Sequence, residues 1–134
     1  MDEKTKLYTA NTTNLAYMGD TVYELFVRER LVREMGGNTK ALHKEAVRYV
    51  SAAGQAVAMK AMMEELSDEE QALVKRARNK DSATKPKNAD PVEYKWATAL
   101  EALVGYYYLL GEKDRAEELT KRAMAVIDGA AKER

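Results

Sequence analysis

Leu15-Ala16-Tyr17-Met18-Gly19-Asp20-Thr21-Val22-Tyr23-Glu24 reads as a helix in which an aspartate follows a glycine inside an otherwise apolar run. A second such segment, Glu101-Ala102-Leu103-Val104-Gly105-Tyr106-Tyr107-Tyr108, lies far away in the chain. Aspartate is a poor residue for a helix interior, and a glycine there costs roughly 1 kcal/mol relative to alanine. Two such departures in succession point to a place where a backbone or a substrate comes close. An ionised carboxylate on a core-facing surface is costly unless it is paired, so the two acids invite a shared cation. Read alone, Gly19 is equally a helix–helix contact and Asp20 a solvent-facing residue.

Working outward, nearly every segment carries a helical period and no stretch alternates long enough to be a strand, which predicts an all-α domain of six to seven helices. Asn11-Thr12-Thr13-Asn14 offers N-caps for a first helix from Leu15 to about Val32, with Leu15, Met18, Val22, Leu25, Phe26, Leu31 and Val32 as its apolar positions and Gly36-Gly37 as its stop. Asn38 or Thr39 starts the next, carrying Leu42, Ala46, Val47, Tyr49 and Val50, and Ser51 marks a junction before a helix from Ala52 to Leu66. Ser67-Asp68-Glu69-Glu70 is a capping-box pattern opening a helix whose apolar face holds Ala72, Leu73 and Ala77. The principal loop runs from Asn79 to Ala89. After it come a long helix from about Pro91 to Leu110, stopped by Gly111, and an amphipathic helix from Asp114 to Ile127.

At 134 residues the chain is expected to form a single domain, 1–134, with its core at about 14–128. The first residues lack the apolar run of a signal peptide and no segment is long and apolar enough to span a bilayer, so a cytoplasmic protein with no membrane association is expected. The absence of cysteine removes thiolate zinc sites and cysteine nucleophiles. Lysine plus arginine and aspartate plus glutamate balance at 22 each, so only a local patch can support nucleic-acid binding.

Such a patch exists. Lys75, Arg76, Arg78, Lys80, Lys85 and Lys87 gather at one helix end and through the loop, opposed there only by Asp81. Asn79, Ser82, Thr84 and Asn88 add hydrogen-bonding groups that carry no sequence information. Glu101 sits at the margin of the apolar band formed by Trp96, Leu100, Leu103, Val104, Tyr107 and Leu110, and Thr98 shares its helix face. If the two acid-bearing helices pack together, Asp20 and Glu101 converge on one hard cation; Mg²⁺ suits a site with few carboxylates because it retains waters, and Mn²⁺ is the natural substitute. Beside a phosphodiester such a site performs hydrolysis. His43, the single histidine, is assigned a structural place beside Leu42 and Ala46, and Met59, Met62 and Met63 are assigned to core packing. Glu24, one turn after Asp20, and Asp90, at the loop's end, are candidate helpers of the acids, with a solvated or capping role as the commoner use of such residues.

Leu15-Ala16-Tyr17-Met18-Gly19-Asp20-Thr21-Val22 resembles the signature helix of the ribonuclease III family, and Glu101-Ala102-Leu103-Val104-Gly105 resembles its second catalytic helix. His43 to Ala52, Arg76-Ala77-Arg78-Asn79 and Pro86-Lys87-Asn88-Ala89-Asp90 fall in the same order, so the resemblance covers about Asn14 to Leu119. It is closer still to the Mini branch, Mini-ribonuclease III, which has the catalytic domain without a double-stranded RNA-binding domain. The resemblance implies a homodimeric, magnesium-dependent endoribonuclease that cuts double-stranded RNA and, for the Mini branch, matures the precursor of large-subunit (23S) ribosomal RNA, with room for a ribosomal protein that shapes the substrate. It assigns Asp20 and Glu101 to catalysis and metal binding, and Tyr17 to the dimer seam. Thr13, Ala16 and Thr98 stand where the full-length enzymes carry further carboxylates, which implies a more weakly held metal. A catalytically silent RNA-binding or assembly factor on the same helices is the alternative.

Overall fold

The computed structural model describes residues 1–80 and 87–132. Among these, seven α-helices form: α1 (Glu3–Tyr8), α2 (Thr12–Glu34), α3 (Thr39–Val50), α4 (Ala52–Met62), α5 (Asp68–Asn79), α6 (Pro91–Leu110) and α7 (Lys113–Lys132). No strand occurs among the described residues, so the all-α expectation holds.

The boundaries follow from caps. Asn11, Asn38, Ser51, Ser67 and Asp90 each accept a hydrogen bond from a backbone N–H in the first turn of α2, α3, α4, α5 and α6 respectively. Ser51 therefore ends α3 and begins α4, the junction read from the sequence. Gly111 adopts a left-handed φ of 90°, and Glu112 N–H donates to Tyr107 O while Gly111 N–H donates to Tyr108 O, closing α6 in a Schellman turn. The helix predicted from Ala52 to Leu66 is shorter: α4 ends at Met62 and tightens into a 3₁₀ turn over Met63–Glu65 before the cap at Ser67.

α6 is the central element. Ala97, Ala99, Leu100, Ala102, Leu103, Val104 and Tyr106 are all buried, which leaves it apolar around most of its circumference. α2, α4, α5 and α7 pack around it, α3 lies against α2 and α7, and α1 rests on α6. A helix buried around most of its circumference is the core's axis, and truncating Leu103 to alanine there would cost about 2–5 kcal/mol. Glu70 fastens one end of the bundle: it completes the capping box with Ser67, accepts from Tyr107 Oη at 2.6 Å and pairs with Arg115 at 2.9 Å, joining α5 to α6 and α7. Burial pushes its carboxyl up, but these donors together hold it below the usual carboxylate range.

Several expected core positions lie elsewhere. Leu25 and Val32 are 54% and 59% exposed, and Val47 and Ala72 are also exposed. Tyr23, Val27 and Val74 occupy the core in their place. α1 lies before the expected core and was not foreseen. It docks through Tyr8, whose ring meets Tyr106 edge-on at 5.9 Å and whose hydroxyl donates to Glu69 O at 3.0 Å.

Candidate active site

The crossing of α2 and α6 is built on the two glycines. A Cβ on Gly19 would stand 1.7 Å from the Glu101 carbonyl oxygen, and one on Gly105 would stand 2.0 Å from that of Leu15. No side chain fits between these backbones, so the helices touch there, and the residues beside the contact are carried into one place. Asp20 follows Gly19; Glu101 lies one turn before Gly105. The close-contact reading of Gly19 is the one the backbone geometry shows, and that contact carries Asp20 toward the helix of Glu101.

Asp20 and Glu101 line one open cavity of about 200 Å³, together with Tyr17, Lys80, Lys95 and Thr98. Asp20 is exposed at the mouth and Glu101 is largely buried. Burial first, then the negative charge of Asp20 and a hydrogen bond shared with it, push the Glu101 carboxyl from the usual range up to about 9; Gln55 acts in the opposite direction and Glu24 adds to the rise. In the metal-free protein this acid holds its proton near neutral pH. A divalent cation supplies the positive charge the pair lacks, and two carboxylates with room for water match what Mg²⁺ accepts. Asp20 and Glu101 are the cavity residues that could hold such a cation. No cluster of three or more metal-ligating acids, histidines or cysteines exists among the described residues, in line with the thin carboxylate set read from the sequence.

Thr98 lines the same cavity, but its hydroxyl donates to Tyr94 O at 2.9 Å. Glu24 pairs with Arg28 at 2.9 Å, and Asp90 serves as the N-cap of α6. His43 is exposed on α3 beside Val32 and Leu42, away from the cavity.

The basic residues divide. Lys75, Asn79, Lys87 and Asn88 are exposed, and Lys80 lines the cavity while donating to Asn11. Arg76 lies over the Tyr8 ring at 5.1 Å and donates to Tyr8 O, which makes it an anchor for α1. Arg78 stacks over Trp96 at 4.8 Å. Lys85 falls outside the described residues. Two residues were missed from the sequence: Lys95, which brings a second ammonium to the cavity, and Gln55, a buried amide on α4. An isolated lysine in an amphipathic helix carries no signal by type; a lone glutamine among the alanines and methionines of α4 does.

The ribonuclease III domain family matches residues 13–112, a span that contains both acids and the loop between them. The chain belongs to the ribonuclease III family. Among curated relatives of that family, Mini-ribonuclease 3 of Symbiobacterium thermophilum is 45% identical over 114 residues, covering 85% of this chain and 88% of the relative. Mini-ribonuclease 3 of Brevibacillus brevis is 43% identical over 122 residues, covering 89% and 91%. A crystal structure of a protein from Fusobacterium nucleatum superposes with a TM-score of 0.76 at 33% identity, covering 93% of this chain and 98% of the other. Ribonuclease III membership makes the chain a nuclease of the endoribonuclease type, and no helix among the described residues is long and apolar enough to cross a membrane.

Proposed function

We propose that the protein is a Mg²⁺-dependent endoribonuclease that hydrolyses phosphodiester bonds in double-stranded RNA, with Asp20 and Glu101 as its catalytic, metal-holding pair and the large-subunit (23S) ribosomal RNA precursor as its natural substrate. The observation that carries this reading is the convergence of Asp20 and Glu101 in one cavity that Lys80 and Lys95 also line. Carboxylates alone repel a phosphodiester, whereas ammonium groups beside them give the phosphate a place to sit. When bound, the cation polarises the phosphoryl group and acidifies water at neutral pH. Lys80 and Lys95 orient the phosphate and offset its charge. Asp20, at the mouth, takes one proton from the water whose oxygen bonds to phosphorus, while the bond to the sugar oxygen breaks and that oxygen leaves as a hydroxyl with a proton from solvent. Glu101, deeper in the wall, would hold the cation as its carboxylate.

The exposed ends of α5 and of the following loop, Lys75, Asn79, Lys87 and Asn88, extend the contact along the duplex backbone, joined by Arg78 and Lys85; phosphate and ribose contacts of this kind read shape rather than sequence. Tyr17 is 84% exposed and shares one flank of α2 with Leu25 and Val32. An apolar stripe of this kind suits an isologous homodimer, which places two cavities across two strands.

One paired assay tests the reading. Wild-type protein with Mg²⁺ is expected to cleave a long RNA duplex and spare single-stranded RNA, while Asp20→Asn binds the duplex without cutting it. Failure of the wild type to cleave over a range of Mg²⁺ and Mn²⁺ concentrations leaves only RNA binding, and sedimentation of the wild type as a monomer removes the dimer.

A further inference from the structure

Gln55 is 2% exposed in a helix whose other buried residues, Ala56, Ala58, Met59 and Met62, are apolar. A buried primary amide is costly unless its hydrogen-bonding groups are used. Here Nε2 donates to Glu101 Oε2 at 3.4 Å, from a helix that supplies no residue to the cavity lining. Tyr23, a buried hydroxyl that also senses the charge of Glu101, donates instead to Tyr49 O at 2.8 Å. Among the described residues no other side chain apart from Asp20 hydrogen-bonds to Glu101.

The chemistry of this donor is specific. A lysine or arginine in the same place would neutralise Glu101 and compete with a cation for it. A leucine would leave the carboxylate free to rotate. An amide holds one oxygen, adds no net charge and leaves the second oxygen unengaged by it. We propose that Gln55 is a positioning residue of the site, which fixes the Glu101 carboxylate from behind and so sets the affinity of the Asp20–Glu101 pair for a divalent cation. The proposal rests on the reading that this pair holds the metal. Partners that orient a ligand from outside the metal's own shell typically change metal affinity or activity by about 10–100-fold when removed.

The test uses Mn²⁺ alone as the probe. Binding of Mn²⁺ to the intact protein is followed by electron paramagnetic resonance for wild type, Gln55→Leu, Gln55→Met and Asp20→Asn, each checked for a native helical spectrum and unfolding transition. Methionine, unbranched and of similar length, fits the same space if leucine perturbs the fold. In parallel, cleavage of an RNA duplex is titrated with Mg²⁺, and duplex affinity is measured without metal. The expected result is a rise of about 10–100-fold in the half-saturating Mn²⁺ and Mg²⁺ concentrations for the folded Gln55 variants, with duplex affinity unchanged. Folded variants that bind Mn²⁺ as the wild type does overturn the proposal, whatever their activity. Asp20→Asn with undiminished Mn²⁺ binding also overturns it, because the cation then sits elsewhere. Asp20-dependent Mn²⁺ binding weakened by the Gln55 variants, in a wild type that cuts no duplex, supports the role of Gln55 while the nuclease reading fails.

Discussion

Glu101 is held where the free protein does not favour it. Its carboxyl titrates at about 9 in the fold against an ordinary value of 4.5, because burial and the charge of Asp20 both disfavour the ionised form. The unfolded chain therefore releases this proton at lower pH than the folded one. Between about 4.5 and 9 the native state binds more protons than the unfolded state, so metal-free stability falls as pH rises across that window. Glu101→Gln removes the titration and retains the shape. It is expected to abolish cleavage while stabilising the metal-free protein at pH 8 by about 1–3 kcal/mol, a gain that disappears near pH 4.5. Urea unfolding of both proteins in chelator across that range checks it. Equal stability of the two at pH 8 would show that the acid is already paired.

At the scale of elements, the α2–α6 crossing determines the site. Gly105→Ala places a methyl 2.0 Å from the Leu15 carbonyl oxygen and 2.9 Å from Gly19 N, both of them backbone atoms that cannot rotate away. Overpacking of this sort costs about 1–3 kcal/mol, and the helices must part to relieve it. Gly105→Ala is therefore expected to lower the unfolding midpoint and to reduce cleavage by more than the loss of folded protein explains, since the separation moves Asp20 from Glu101. A matched Gly129→Ala, inside α7 where a Cβ meets nothing within 4 Å, is expected to raise the midpoint slightly, as alanine does in a helix, and to leave cleavage unchanged. The two glycines and the two acids were legible in the sequence because each breaks a local preference. Which backbone they meet was not, since contact between distant helices leaves no local period. Leu25 and Val32 were misplaced for a related reason: a helical period marks an apolar face without saying whether a core or a partner covers it. α1 escaped because six residues, Glu-Lys-Thr-Lys-Leu-Tyr, carry too little pattern; its stability comes from Asp2 capping the first turn and from Tyr8 docking on α6. The α5 capping box was fully legible, being a purely local arrangement of Ser67 and Glu70.

Across the whole molecule, a net charge of zero conceals a separation of roles. Arg48 and Arg115 are engaged with Asp128 and Glu70 and hold helices together, and Arg76 holds α1. Lys75, near the C-terminal end of α5, and Lys87, where the described chain resumes after the loop, are exposed. A neutral protein that binds a polyanion must do so with such uncommitted cations, and each phosphate it neutralises releases counterions, so affinity falls as salt rises. Lys75→Glu together with Lys87→Glu should weaken duplex binding uniformly across sequences and make the log–log dependence of affinity on salt shallower by about one for every phosphate that is no longer neutralised. The fold should be untouched, because among the described residues neither side chain bridges helices. Arg76→Glu separates the two roles. Without its stack and hydrogen bond on Tyr8, α1 should loosen and the unfolding midpoint fall, an effect the double lysine variant lacks. Fluorescence anisotropy of a labelled duplex at several salt concentrations, with thermal unfolding of each variant, measures both. An unchanged salt slope in the double lysine variant would remove this end of the molecule from the RNA-binding surface and leave Lys80 and Lys95 in the cavity as its cationic contacts.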